Sequence, residues 1–411
     1  MLKSFSIKGL YGLFSYSIDI RKGVSIITGP NGFGKTTILR CINAIYDCEF
    51  WRFYFIKFNE ICAVFDDGKK VQLKREVVRK EVLFGEPMEE TSVKVFYFAG
   101  EIEEVFDITI QYLIRLVRYQ TRRDSFNIED FLNGSYLLSE DENLQKAMPS
   151  LLTFLHEKKC TLVEAQRLVY GRMDSRGNQI GIAYTIDDVN EQIKRTYLRA
   201  HNDFSKKAQT IDGSFITRLS KLIDNKEQLK GDISASELQQ QIEKYRKYHL
   251  IEKMNVDVQL PQSYDMVRNL YLNDIKLKLN ALSRYYEILS TFDEFVTGQG
   301  LSYKRIELNE NGIVVKSDMG DIIPLNRLSS GEQNLMILAF HLVFKPSKGD
   351  ILLVDEPENS LHMSWLENLL DEYLRIAKIT ETQVIIATHS PTFIGNKWKM
   401  TFDLFENNEI E

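Results

Sequence analysis

Residues 24–39, VSIITGPNGFGKTTIL, bring three glycines, a lysine and two threonines together between a strand-like run at 24–28 and a helical pattern. Gly29, Gly34, Lys35 and Thr36 fit the spacing G-x-x-x-x-G-K-[ST], and they sit in the strand-then-helix setting that this spacing requires. Glycines at 29, 32 and 34 let the backbone curl until consecutive N–H groups face one centre, which suits phosphate oxygens. A helix opening at Lys35 adds the positive end of its dipole. In such a loop the ammonium of Lys35 reaches the outer phosphates of a nucleotide and the hydroxyl of Thr36 ligates Mg²⁺, with Asn31, Gly32 and Thr37 completing the cradle.

Four further strings carry polar groups at places where chemistry is possible. ILLVDEPENSLH, 351–362, is an apolar run ending in two adjacent carboxylates. Side chains alternate along a strand, so Asp355 can hold Mg²⁺ through water while Glu356 orients or deprotonates an attacking water. Read alone, the pair would also suit a turn or a helix cap. LSSGEQ, 328–333, opens a helix with small residues, and its free N–H groups and the Ser329 hydroxyl make a second anion site from Ser329, Ser330, Gly331 and Glu332. The same letters describe an ordinary N-cap. ATHSP puts His389 just past a buried strand, and TLVEAQRL puts Gln166 after a short one. Either residue taken singly could be a plain structural or surface group.

In this order and context the strings resemble the ABC ATPases. L-S-S-G-E is similar to the L-S-x-G-E signature of the chromosome-maintenance, repair and defence branches. The resemblance implies that 329–332 bind the γ-phosphate held by another subunit, so that two heads share ATP. It further implies that His389 contacts the γ-phosphate, that Gln166 contacts Mg²⁺ and the attacking water, and that 358–362 form the loop crossing the dimer seam. The form E-x-S-L-H departs from the S-A-L-D of transporters, which leaves the role of His362 open. The resemblance covers 1–105 and 300–411. VEAQRL, KKAQTIDGSFITRL, DEPENSLH and ATHSPTFIGNKW also look like the stand-alone ATPases of prokaryotic anti-phage systems (Septu, PARIS and retron-associated), relatives of the OLD family. That implies control of an effector such as a TOPRIM or HNH nuclease. With 22 residues after His389 (390–411) and no nuclease pattern within, the effector is expected to be a separate polypeptide. The alternative is a DNA-repair ATPase whose closed dimer clamps DNA.

The surrounding elements must deliver these residues to one place. The 411 residues are 44% hydrophobic and 27% charged with net charge −6, an ordinary globular balance that does not suit a protein coated in nucleic acid. Cys41, Cys48, Cys62 and Cys160 form no C-x-x-C pair and read as reduced thiols. The longest apolar run, 335–344, is half of the roughly 20 residues that cross a bilayer, so a cytoplasmic chain without membrane contact is expected. Residues 1–105 alternate as strands, 106–299 turn mainly helical around the short strand at 160–164, and strands and helices then alternate over 300–411. The expected fold is α/β: an ABC head, with a phosphate-loop sheet and an antiparallel β lobe, split by a large helical insertion containing 161–168. That insertion lacks sustained heptads and carries both charge signs, so it should dock protein rather than DNA. Tyr11 and Phe14 lie near enough to stack on adenine, but core packing accounts for them better.

Overall fold

The computed structural model describes residues 1–80, 88–121, 142–173, 179–225, 234–252, 254, 256, 261 and 264–408. Helix expected within 122–141 and 226–233 lies outside the described residues. The chain begins with β1 (Leu2–Leu10), β2 (Phe14–Asp19), β3 (Val24–Thr28) and α1 (Lys35–Tyr46), then β4 (Glu60–Phe65), β5 (Lys70–Lys80), β6 (Met88–Ala99) and β7 (Ile102–Thr109). Helices α2 (Ile110–Thr121), α3 (Glu142–Ala147) and α4 (Pro149–His156) lead to β8 (Cys160–Val163), β9 (Val169–Met173) and β10 (Gln179–Tyr184). Next come α5 (Thr185–Gly213), α6 (Phe215–Asn225), α7 (Ala235–Lys247), α8 (Asp265–Asn280) and α9 (Ser283–Gly298), followed by β11 (Lys304–Asn309), β12 (Gly312–Ser317) and β13 (Ile322–Ile323). The chain closes with α10 (Ser330–Val343), β14 (Ile351–Asp355), α11 (Met363–Thr380), β15 (Gln383–Ala387), α12 (Pro391–Ile394) and β16 (Thr401–Asp403).

Two compact units result, one of 1–167, 171–181 and 344–411, the other of 168–170 and 182–343. These lines differ from the expected cuts at 105/106 and 299/300. The first of those cuts falls inside β7, whose pairing with β6 runs from Ala99↔Ile102 to Ser92↔Thr109. Residues 142–167 also belong with the first unit, because β8 is hydrogen-bonded to β14. Residues 300–343 fall in the second. Long-range pairing, invisible to local periodicity, draws the boundaries.

In the first unit, an antiparallel sheet of order β2-β1-β4-β5-β6-β7 accompanies a five-stranded sheet of order β16-β3-β15-β14-β8. Every pairing in the five-stranded sheet is parallel. Strands β3, β14 and β15 are buried at every position, as strands inside a covered parallel sheet must be. Strand β4 instead alternates, with Ile61, Ala63 and Phe65 inward. Helix α1 turns Ile38, Leu39, Ile42, Ile45 and Tyr46 into the same hydrophobic cluster as Phe5, Ile7, Leu353 and Ile385. Each large side chain so buried contributes about 1.5–3 kcal/mol relative to exposure. One core therefore holds α1 and both sheets.

The second unit is built on α5, whose Ile186, Val189, Ile193, Tyr197 and Ala200 recur at three- and four-residue spacing and are buried. Helices α8 and α9 bury Leu270, Ile275 and Leu279, and Leu289, Phe292, Phe295 and Val296. The hairpin Lys304↔Ser317 to Asn309↔Gly312 carries β13 on its far edge. Helix α10 is buried along 331–340: its run 335–340 is apolar on every side, and Glu332, Gln333 and Asn334 are buried polar residues in its first turns.

Candidate functional site

Parallel strands open their carboxyl ends to ligands. Here four adjacent strands, β3, β15, β14 and β8, end side by side: Ile27 pairs with Ala387, Ala387 with Asp355, and Val354 with Val163. At or just past those ends lie, in the same order, the 29–37 loop, His389, Asp355 with Glu356, and Gln166. Register alone thus gathers four of the sequence strings onto one edge of the first unit.

The loop's shape is set by its glycines. Gly34 has φ 87, and a Cβ there would come within 2.7 Å of Leu10 Cδ2. Gly29 has φ 146 and would set a Cβ 3.2 Å from that of Leu404. Lys35 folds back over the loop, its Nζ donating to the carbonyls of Gly29 (2.8 Å) and Pro30 (3.1 Å). Burial lowers its pKa while Glu356 and Asp355 oppose that shift. Asn31 and Gly32 are exposed at the tip. Thr37 Oγ1 lies 2.7 Å from the hydroxyl of Tyr11.

Thr36 Oγ1 donates to Asp355, 2.9 Å from Oδ2 and 3.2 Å from Oδ1, so the two expected Mg²⁺ ligands are already neighbours. Asp355 is 4% exposed. Burial raises its pKa, partly offset by the Thr36 hydroxyl. A hydroxyl and a carboxylate are hard oxygen donors of the kind Mg²⁺ takes, so Thr36 and Asp355 are the residues that would hold it.

Glu356 follows with φ 45, an uncommon conformation for a residue with a Cβ. Its amide donates to Ala387 O at 2.8 Å. Its carboxylate accepts from Asn359 Nδ2 at 2.9 Å through Oε2, while Oε1 stands 3.4 Å from His389 Nδ1. The imidazole is equally close to Glu358 Oε1, which also accepts the His389 amide at 3.1 Å and the Thr388 hydroxyl. Glu358 thus holds the segment that carries His389. Gln166 is exposed, three residues beyond β8.

The signature segment belongs to the second unit. Ser329 caps α10: Glu332 N donates to Ser329 Oγ at 3.3 Å, and Glu332 Oε2 accepts from Ser329 N at 2.9 Å and Oγ at 2.8 Å, a capping box. Glu332 is 6% exposed, and its Oε1 accepts from Lys304 Nζ at 2.6 Å. Burial opposes its charge, but the Lys304 and Ser329 hydrogen bonds prevail and hold its pKa low. The carboxylate expected among the phosphate contacts is therefore turned inward, and the Ser329 hydroxyl, expected to face outward, bonds to it. What this turn offers an anion is the exposed face of Ser329 and Ser330, with the buried Gly331 next in the first turn.

Several participants escaped the sequence reading. Arg167, next to Gln166, is buried with main-chain carbonyls around it. Lys304 gave only the weak signal of a charge opening a strand, and Glu358 was read only as part of the 358–362 loop, not as the acceptor that holds His389. His362 turns out to cap α11, its Nδ1 accepting from Ser364 N at 3.3 Å. Phe14 packs against Phe33 with centroids 5.2 Å apart, and Phe33 against Phe405 at 5.7 Å.

Known proteins resemble the chain as follows. A family described as "AAA ATPase domain" matches residues 1–394. The spermidine/putrescine import ATP-binding protein PotA of Mycoplasma genitalium is 23% identical over 414 residues, spanning 93% of this chain and 69% of that protein. The DNA double-strand break repair Rad50 ATPase of Methanopyrus kandleri is 33% identical over 87 residues, 19% of this chain and 10% of that one. Among solved structures, the Smc head domain of Pyrococcus furiosus bound to the C-terminal domain of ScpA aligns over 96% of this chain and 91% of its own, at 16% identity and a TM-score of 0.37. The SMC head domain from Thermotoga maritima aligns over 96% and 90%, at 15% and 0.33.

Proposed function

The chain belongs to the AAA ATPase domain family and is an ATPase, and from that premise we propose that it works as an ABC-type head pair, with ATP bound between two copies, that controls a separate effector in anti-phage defence. The observation that carries the nucleotide half of this reading is the convergence of Thr36, in the first turn of α1 after β3, with Asp355 and Glu356 at the end of β14, with Thr36 and Asp355 already 2.9 Å apart.

In this reading the amides of 29–37 and the Lys35 ammonium bind the phosphates, Lys35 exchanging its two loop carbonyls for phosphate oxygens. Thr36 and Asp355 hold Mg²⁺, which when bound neutralises charge on the β- and γ-phosphates. Glu356, steadied by Asn359, orients the attacking water and takes its proton. His389 and Gln166 report the state of the γ-phosphate. Ser329, Ser330 and Gly331 of a second copy close over it, so nucleotide binds the pair and shifts the population toward closure. Hydrolysis removes the bridging phosphate and lets the pair part. The helices of the second unit pass this cycle to a partner protein, a TOPRIM or HNH nuclease being the class of effector expected.

The test pairs turnover with assembly. Wild type should gain mass toward a dimer on adding ATP in sedimentation experiments, Glu356→Gln should stay closed with ATP while releasing little phosphate, and Ser330→Arg should do neither. Phosphate release per molecule that is indifferent to dilution and to Ser330→Arg would sink the shared-site reading. A second reading, a repair ATPase whose closed pair clamps DNA, draws support from the 87-residue likeness to Rad50.

A further inference from the structure

Arg167 is 6% exposed and stands one residue past Gln166. Its Nη1 donates to the carbonyls of Glu164 at 3.1 Å and Asp355 at 3.2 Å, and its Nη2 to those of Glu356 at 3.2 Å and Pro357 at 3.3 Å. Three of these acceptors are consecutive. Along a strand successive carbonyls point to opposite sides, so turning 355, 356 and 357 onto one group needs a reversed torsion. The φ of 45 at Glu356 supplies it. Such a turn concentrates three carbonyl dipoles on one spot and stores backbone strain, and it persists only where the surroundings over-determine it. A guanidinium does so well, because its planar fork of five donors serves several acceptors at once and stays charged when buried.

We propose that Arg167 is a positioning residue for ATP hydrolysis, holding the Asp355–Pro357 turn so that Glu356 faces the nucleotide and tying that turn to the Gln166 loop. The proposal rests on the reading of Glu356 given above. Its consequence is mechanical: β8 and β14 are already paired through Val163↔Val354, and the guanidinium extends that join past the strand ends, where main-chain pairing stops. Any shift of the Gln166 segment then moves the backbone of Glu356. Arg167 is also the last residue before the chain passes at Leu168 to the second unit.

The experiment compares Arg167→Lys, Arg167→Gln and Glu356→Gln, singly and as the Lys/Gln double variant, in the full chain. Read-outs are kcat, affinity for a fluorescent ATP analogue, and thermal midpoint. Lysine keeps a charge but cannot span four carbonyls. Arg167→Lys should lose about tenfold or more in kcat while ATP-analogue affinity stays within about threefold, since only the transition-state geometry is disturbed. Added to Glu356→Gln it should lower the residual rate by less than about twofold, because residues acting as one unit are not additive. A normal kcat in Arg167→Lys beside a crippled Glu356→Gln would overturn the proposal alone. So would the same fold-loss in both backgrounds. Should Arg167→Gln fail to fold, the lysine variant decides, and loss of ATP-analogue binding in both would make the role merely structural and reject the proposal. Full turnover by Glu356→Gln would remove the premise and the proposal with it.

Discussion

Asp355 carries a cost that its neighbours only partly offset. It is buried, burial raises its pKa, and the Thr36 hydroxyl returns some of the difference. An acid whose native pKa lies above the unfolded value of about 3.9 binds its proton more tightly when folded, so its contribution to stability falls as pH rises from the unfolded value through the native one. At neutral pH the charged form is therefore present at a loss. Asp355→Asn removes the charge and keeps an oxygen for Thr36 Oγ1. We expect calorimetry of the nucleotide-free protein to show a gain on the order of 1 kcal/mol. Phosphate release should drop about 10²-fold or more, the scale set by losing a metal's charge stabilisation. A lower melting temperature in Asp355→Asn would contradict this account of the buried carboxylate. That Asp355, Glu356 and the 29–37 loop are candidates was legible in the letters, since each motif is local. Arg167 was not, because its partners Asp355 and Glu356 lie 188 and 189 residues away and are main-chain atoms that any residue type would supply.

At the scale of elements, the N-terminus of α10 is a structural device before it is an anion site. Glu332 closes the capping box and pairs with Lys304 across from β11. Its depressed pKa means that the stability it adds is present above the unfolded carboxyl value and is lost as pH falls through the lower native value, in the acid range. Glu332→Gln still completes the box, whereas Glu332→Ala breaks it and strands the Lys304 ammonium. Urea unfolding should rank wild type above Gln above Ala, with the alanine costing about 1–2 kcal/mol. Equal losses in the two variants would show that the cap is not what Glu332 supplies. The sequence reading weighed an ordinary cap for this string and settled on the phosphate site from order and spacing. The inward direction of the Glu332 carboxylate, bonded to Lys304 and Ser329, was not legible in the letters.

For the whole molecule, the candidate residues fall in both units: the first holds 29–37, Gln166, Asp355, Glu356 and His389, the second holds Ser329 to Glu332. No helix among the described residues is long and apolar enough to cross a membrane. The net charge of −6 gives nucleic acid little general attraction. If the protein-effector reading is right, filter binding at about 150 mM salt should detect no ATP-dependent retention of duplex DNA. A DNA clamp would instead retain it, with an affinity that falls steeply as salt rises. Retention by wild type and Glu356→Gln but not by Lys35→Ala would shift the assignment to the repair reading.

Read as letters, the chain determined its class, most of its strand and helix types and the glycine-shaped loop at 29–37, because glycine torsions, apolar runs and helix openings are decided within a few residues. The strand at 160–163 was visible too, but not its place beside β14, since a parallel neighbour is chosen by the whole sheet. Tertiary structure alone decided where the units divide, which way Glu332 points, and that one guanidinium gathers the carbonyls of the turn behind Glu356. Each of these depends on groups far apart in sequence meeting in a buried setting, where an unpaired carbonyl or charge is costly and only the folded arrangement shows what satisfies it.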